Sequence, residues 1–225
     1  KIRRARIQDV LGALDSENVQ GETQQKLDVI ANETLLRCLG SRAGVAVVAS
    51  EENEEPIIIQ RNAEGERPYV VLFDPLDGSS NLDVCGGVGT MFLRVAENMK
   101  LPKTGKTYSV NEGNRPTFPD GYQRYLDWAQ NGGYSSRYAG AMVADIHRTL
   151  LKGGVFFYPP TKKSPEGKLR LMYEANPMAM IVEQAGGKAF AGKDRILDIV
   201  PKTLHQRTSV IMGSADEVDH VLRHL

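Results

Sequence analysis

A chain of 225 residues with 41% hydrophobic and 25% charged positions can bury a core of ordinary size, as one large or two small globular domains. Its 28 basic and 28 acidic side chains balance to a formal charge of +0 with no basic block, which argues against a nucleic-acid partner. No apolar run approaches a membrane span and no signal peptide is visible, so no membrane partner is expected, and with only Cys38 and Cys85 a disulfide framework is improbable and a reducing, cytoplasmic compartment is favoured. The opening KIRRARIQDV has the look of an interior stretch, which leaves room for a targeting segment ahead of it, a plastid one included.

Asp9–Gln24 is polar, is broken by Gly12 and Gly21, and reads as a mobile loop. From Gln24 to Leu39 the residues Leu27, Ile30, Ala31, Thr34, Leu35, Cys38 and Leu39 recur at helical spacing, and Gly40 ends the helix. Cys38 falls on the apolar face and is expected in the core. Asp28 lies one step off that face, where spacing alone favours a solvated first-turn acid that suits the helix dipole. Val45–Ala49 is a short apolar run and a strand candidate, followed by Ser50-Glu51-Glu52-Asn53-Glu54-Glu55. A run of acids is usually a solvated loop. Here it follows a strand, as Asp74 does. If the two strands are neighbours, Glu51 or Glu52 meets Asp74 at the sheet edge where open α/β sheets bind ligands. Ile57–Ile59 reads as another strand and Asn62–Pro68 as a turn.

The most informative stretch is Phe73–Asp83, FDPLDGSSNLD, after the apolar run Tyr69–Leu72, which reads as a buried strand. Pro75 lacks an N–H and ends the ladder, so the chain turns between Asp74 and Asp77. Two carboxylates three residues apart on such a turn can point to one side. Hard oxygen ligands of that kind suit Mg²⁺ or Mn²⁺, not zinc. Gly78-Ser79-Ser80-Asn81 follow at once: glycine allows close backbone approach to a ligand, and Ser or Asn opens a helix whose free amides bind an anion. A divalent-metal site beside a phosphate cradle points to metal-assisted phosphate chemistry.

Val88–Leu93 reads as a strand. Thr107–Asn114 is a short strand ending in a polar glycine turn, and Asp120–Ala129 is a helix. Ser135–Leu150 opens with Arg137-Tyr138 and continues as a helix through Met142, Val143, Ile146 and Leu150 to the stop at Gly153-Gly154. Val155–Tyr158 is a strand closed by Pro159-Pro160. Lys168–Tyr173 alternates as a strand up to Glu174, and Asn176-Pro177 starts a helix that runs to Ala185. Glu174 thus occupies a third strand-end position. Ser214-x-x-Glu217 has the form of a capping box for a C-terminal helix. The four histidines (His147, His205, His220, His224) lack metal-ligand spacing, and no strong Ser-His-Asp or cysteine nucleophile pattern competes. Strands alternate with helices throughout, which predicts a layered α/β or α+β architecture.

The DPLDGSSN string, with NEGN, RYAG, FYP and GKLRLMYE following in order, closely resembles fructose-1,6-bisphosphatases of the class related to inositol monophosphatases, from about Asp9 to the C-terminus. The resemblance implies a sugar-phosphatase fold of alternating helix and sheet layers. It also implies two subdomains, 1–93 for the metal and catalytic site and 94–225 for the sugar phosphate. It implies hydrolysis of the 1-phosphate of fructose 1,6-bisphosphate, in gluconeogenesis or a carbon-fixation cycle. Two or three Mg²⁺ ions per subunit, or Mn²⁺, would be held by the matches Glu51, Glu52, Asp74, Asp77, Glu174 and the Leu76 carbonyl. Glu52 and Asp28 would help activate the attacking water, and Glu22, on a mobile loop, would complete a metal site on closure. The family usually has Asp at the position of Glu22. Asp77, Gly78, Ser79 and Ser80 would hold the phosphate that is cleaved, and Asn111, Tyr138, Tyr158 and Lys168 the one that is not. Each of those tyrosines taken alone reads as core packing with a wet hydroxyl. Arg137 matches an arginine donated across a subunit interface, which implies a homo-oligomer, usually a tetramer.

Some departures bear on regulation. The Lys-Tyr pair of the family's AMP site is Pro68-Tyr69 here, and the N-terminal helix is mostly absent, which puts AMP control in doubt. Further strands and a helix that the family carries are missing where the chain is nearly fused around Leu93–Ala96, the region where plastid forms carry a redox loop. Three other readings remain: an inositol or nucleotide phosphatase, a dual fructose/sedoheptulose bisphosphatase, and a non-catalytic metal- or phosphate-binding regulator.

Overall fold

The computed structural model describes residues 12–17, 23–42, 44–59, 69–79 and 99–225. The chain divides into two units, Lys1–Met91 and Phe92–Leu225. Glu22, Ser80, the Asn62–Pro68 turn, the Val88–Leu93 strand and the Leu93–Ala96 junction lie outside the described residues.

In the first unit, β1 (Ala13–Glu17) and β2 (Thr23–Gln25) pair antiparallel, where the glycine-broken sequence predicts a loop. Ladder hydrogen bonds belong to the backbone, so a polar segment can still pair. Helix α1 (Lys26–Gly40) starts directly after β2, and the Gln25 N–H donates to Asp28 Oδ2 at 2.9 Å. Leu35, Leu36 and Leu39 of α1 pack on Val45, Val48 and Phe73. Cys38 lies off this stripe and is exposed, contrary to its expected core position.

The core-facing strand is β3 (Val45–Ser50), the centre of a three-stranded sheet ordered β4-β3-β5. β4 (Ile57–Ile58) pairs with it antiparallel and β5 (Tyr69–Phe73) parallel, in a register that ends with Ser50 opposite Phe73. β5 is less buried than its apolar run predicts. Tyr69 and Val70 are 69% and 58% exposed, and the strand meets the core through half-buried Val71 and buried Phe73. It is an edge strand in the described sheet, so only its C-terminal end reaches the cover of α1.

The second unit is built on a six-stranded sheet ordered β11-β10-β13-β8-β6-β7. Its strands are β6 (Thr107–Ser109), β7 (Ser135–Ser136), β8 (Val155–Tyr158), β10 (Lys188–Ala191), β11 (Asp194–Arg195) and β13 (Val210–Gly213). β7, β6 and β8 run parallel; β13, β10 and β11 continue the sheet antiparallel. A separate ribbon joins β9 (Leu169–Arg170) to β12 (Arg207–Thr208). Helix α2 (Asp120–Asn131) and the C-terminal helix α5 (Ala215–His224) bury Tyr122, Tyr125, Leu126, Val218 and Val221 against Val155, Phe157 and Ile211. Tyr125 meets Phe157 edge-on, with ring centroids 5.5 Å apart. Helices α3 (Met142–Lys152) and α4 (Asn176–Gln184) complete the unit, α4 with Pro177 in its first turn.

Three local features depart from expectation. The helix expected over Ser135–Leu150 begins only at Met142, because Ser135–Ser136 joins the sheet and Gly140 takes φ +79°. The strand expected over Lys168–Tyr173 stops at Arg170. Leu171–Ala175 then form a π-helical turn, in which Glu174 Oε2 accepts the Arg170 N–H. Ser214 and Glu217 do not form a capping box: the Ser214 hydroxyl donates to the Pro102 carbonyl, and Glu217 accepts from Gly105 N–H and the Tyr134 hydroxyl. No described helix is long and apolar enough to cross a membrane. The whole is a mixed helix-and-sheet, α/β arrangement.

Candidate active site

Parallel pairing of β3 with β5 decides the geometry of the first unit. Ser50 and Phe73 are the last rung, so the residues that follow leave the sheet side by side. The Glu51 N–H donates to the Phe73 carbonyl at 3.1 Å, one step beyond the ladder. Glu51 and Glu52 therefore start where Asp74 starts. Their turn is held from below: the Glu52 N–H reaches the buried Ser50 hydroxyl at 3.3 Å, and Asn32 Nδ2 of α1 donates to Asn53 Oδ1 at 3.0 Å.

On the other strand, Pro75 turns the chain and Asp74 Oδ1 accepts the Leu76 N–H at 2.9 Å. That turn folds Asp77 back, and one carboxylate oxygen of each aspartate lies within 4.8 Å of the other. Leu76 is buried and its two flanking acids are half-buried. Gly78 takes φ +79°, a conformation that side chains resist, and Ser79 follows.

Asp28 is not the solvated acid that spacing favours: it is 3% exposed. Burial pushes its carboxyl above the usual aspartate range, while the Gln25 N–H and the Ser79 hydroxyl pull the other way. Asp28 is thereby tied to the same loop that carries Asp77.

In the second unit the same rule of strand ends applies. Tyr108 of β6 pairs with Ser136 of β7, and Ser109 with Phe156 of β8, all parallel. Asn111, Arg137-Tyr138 and Tyr158 therefore issue from the same edge of three adjacent strands. Lys168 stands one residue before β9, whose Leu169 pairs with Thr208. Two residues on, Val210 pairs with Tyr158, so β12 and β13 bring the Lys168 end of the ribbon toward that edge. Asn111 Oδ1 accepts the Gly113 N–H at 3.2 Å, and the Arg137 guanidinium donates to the Ser136 carbonyl. Tyr138 and Lys168 are exposed and Tyr158 is half-buried, so neither tyrosine is a core residue. Glu174 is buried in its π-helical turn.

Sequence reasoning passes over two features. Asn32 and Asn53 carry no motif, and their contact is set by tertiary structure alone. Asp145 was legible: with Met142, Ile146, Thr149 and Leu150 it occupies the buried stripe of α3, an unusual place for a carboxylate.

Family models described as the N-terminal and C-terminal domains of fructose-1-6-bisphosphatase match residues 1–114 and 101–225. The class 1 fructose-1,6-bisphosphatase of Chlorobium chlorochromatii (strain CaD3) is 44% identical over 283 residues, covering 97% of this chain and 84% of that protein. That alignment spans more positions than the 225 residues of this chain, so the Chlorobium protein has residues without a counterpart here. The crystal structure of Leishmania major fructose-1,6-bisphosphatase in holo form superposes with a TM-score of 0.88 at 37% identity, over 99% of this chain and 88% of that one. The apo form of the same enzyme gives 0.81 at 35% identity, over 99% and 87%. With both of its halves matched and relatives of this identity spanning nearly its whole length, the chain belongs to the fructose-1,6-bisphosphatase family.

Proposed function

We propose that this chain hydrolyses the 1-phosphate of fructose 1,6-bisphosphate, yielding fructose 6-phosphate and phosphate, with the first unit doing the chemistry and the second holding the sugar phosphate. The observation that carries the reading is the final rung of β3 and β5, from which Glu51, Glu52, Asp74 and Asp77 emerge together. The donor set consists of carboxylates and a peptide carbonyl, with no thiolate or imidazole among them, and so fits Mg²⁺ or Mn²⁺. Asp74 and Asp77, whose carboxylate oxygens lie within 4.8 Å of one another, would hold the ions together with Glu51, Glu52, the Leu76 carbonyl and Glu174. Bound there, the metal supplies Lewis acidity to the phosphoryl oxygens and lowers the pKa of the attacking water.

The chain's own side chains do the rest. Amides and the hydroxyl at Gly78-Ser79, continued by Ser80, orient the reacting phosphate. Glu52, with the buried Asp28, accepts a proton from water as its oxygen bonds to phosphorus and the bond from phosphorus to O1 of the sugar breaks, and O1 leaves as a hydroxyl by taking up a proton from solvent. A raised carboxyl pKa suits Asp28 to that task. Glu22 would serve as a further metal ligand. Asn111, Tyr138, Tyr158 and Lys168 hold the distal phosphate without cleaving it, and Arg137 reaches the site of a second copy in a homo-oligomer, a tetramer by analogy with the family. Positioning of this kind accounts for much of phosphoryl-transfer catalysis.

The deciding experiment is phosphate release from fructose 1,6-bisphosphate with Mg²⁺. Asp77→Asn should lower it roughly a hundred-fold or more, since one lost ligand misplaces the ion. Equal rates in wild type and variant would remove the reading.

A further inference from the structure

The segment Arg137–Gly140 has no regular secondary structure of its own, yet it carries Tyr138, assigned above to the distal phosphate, and Arg137, assigned to the site of a second copy. It is pinned at both ends. On the sheet side, the Arg137 N–H donates to the Tyr108 carbonyl at 2.9 Å. On the helix side, the Ala139 N–H donates to both carboxylate oxygens of Asp145, at 2.9 and 3.1 Å. The Gly140 N–H also reaches this carboxylate, and Arg148 lends it favourable charge.

Asp145 sits in the first turn of α3, where an acid normally faces water and interacts with the helix dipole. Here it is 3% exposed, and burial pushes its carboxyl upward. An acid serving only the dipole would do so from the surface, without desolvation. This one faces inward, and it accepts hydrogen bonds from the Ala139 and Gly140 amides of the loop ahead of the helix as well as from the Ser109 hydroxyl of β6.

We propose that Asp145 is a positioning residue for the distal-phosphate clamp. Its carboxylate fixes the backbone at Ala139–Gly140, and so sets the direction in which Tyr138 leaves the sheet edge. This rests on the reading of Tyr138 and Lys168 as clamp residues. Asp145 itself touches no substrate. It spares the substrate from ordering the Arg137–Gly140 segment on arrival.

The test compares two substrates of the full chain with Mg²⁺: fructose 1,6-bisphosphate, and fructose 1-phosphate, which lacks the distal phosphate. For Asp145→Ala the KM for the bisphosphate should rise roughly ten-fold or more, with kcat within about two-fold of wild type. On fructose 1-phosphate the variant and wild type should agree within about two-fold, because a clamp with nothing to hold cannot lose anything. Asp145→Asn should fall between, since its amide oxygen can still accept one N–H. A purely structural role would depress both substrates together. That outcome, or no change on either, overturns the proposal. If Asp145→Ala does not fold, Asp145→Asn, of equal volume, decides alone. Lys168→Ala is the control. Should it fail to separate the two substrates, the clamp itself is absent and the proposal falls with it. If Lys168→Ala separates them and Asp145→Asn does not, only the positioning role is lost.

Discussion

Asp28 shows what a single position in a sequence can and cannot reveal. Its spacing on α1 favours a solvated acid; in the fold it is buried and accepts a hydrogen bond from Ser79, which comes from a part of the chain about fifty residues away. Periodicity reports a residue's own element and is silent about what that element meets. Asp74 and Asp77 were legible because their turn is local: proline, two acids and a glycine fix it within five residues. Tyr122 gives a residue-scale prediction about stability. It is 3% exposed, and burial raises its hydroxyl pKa from 10.0 to about 12. A raised folded pKa means that the neutral form is favoured in the fold. The associated stability is fully present below pH 10 and is lost as pH climbs through 12. The two-unit shift corresponds to about 2–3 kcal/mol. Urea unfolding at pH 10 and pH 12 should therefore show a smaller alkaline loss in Tyr122→Phe than in wild type, by roughly that amount.

At the scale of elements, strands bounded by clear punctuation were readable and irregular ones were not. β8 and α4 fall where Pro159-Pro160 and Asn176-Pro177 place them. β9 is cut to two residues by a side chain, Glu174, that turns back to the Arg170 amide, and alternation of apolar residues carries no trace of that. Tertiary packing sets the position of Lys168 as well. Gly167, its neighbour, takes φ +100°, and a methyl group there would lie 2.2 Å from the backbone at Thr208 and Ser209. Gly167→Ala should cost more than about 2 kcal/mol in chemical denaturation, combining left-handed strain with a backbone clash. In the variant that remains folded, Lys168 should shift and the KM for the bisphosphate rise. Denaturation curves that coincide with wild type would show that the β9 ribbon yields at no cost.

For the molecule as a whole, fold class and family were legible from the order of motifs, while their spacing in three dimensions was not. NEGN, RYAG and FYP are scattered over some fifty residues of sequence. Parallel pairing of β7, β6 and β8 gathers them at one edge, and strand order in a sheet cannot be read from local pattern. A whole-molecule prediction concerns metal removal. An ion that binds the folded chain alone stabilises it by mass action. At Mg²⁺ a hundred-fold above its dissociation constant, the melting temperature should exceed that in EDTA by about 5–10 °C. Asp74→Asn should abolish most of that difference. A rise of equal size in the variant would place the ion elsewhere.

The shared last rung of β3 and β5 also constrains how such a chain can diversify. Side chains alternate faces along a strand, so adding or deleting one residue within the regular stretch 47–50 or 70–73, beyond the register shift at Val45/Val47, would turn the terminal acid to the opposite side of the sheet. Insertions and deletions can therefore accumulate only in the connections between these strands and beyond them. Lineages of this enzyme are free to differ in overall length, provided the two measured segments keep theirs.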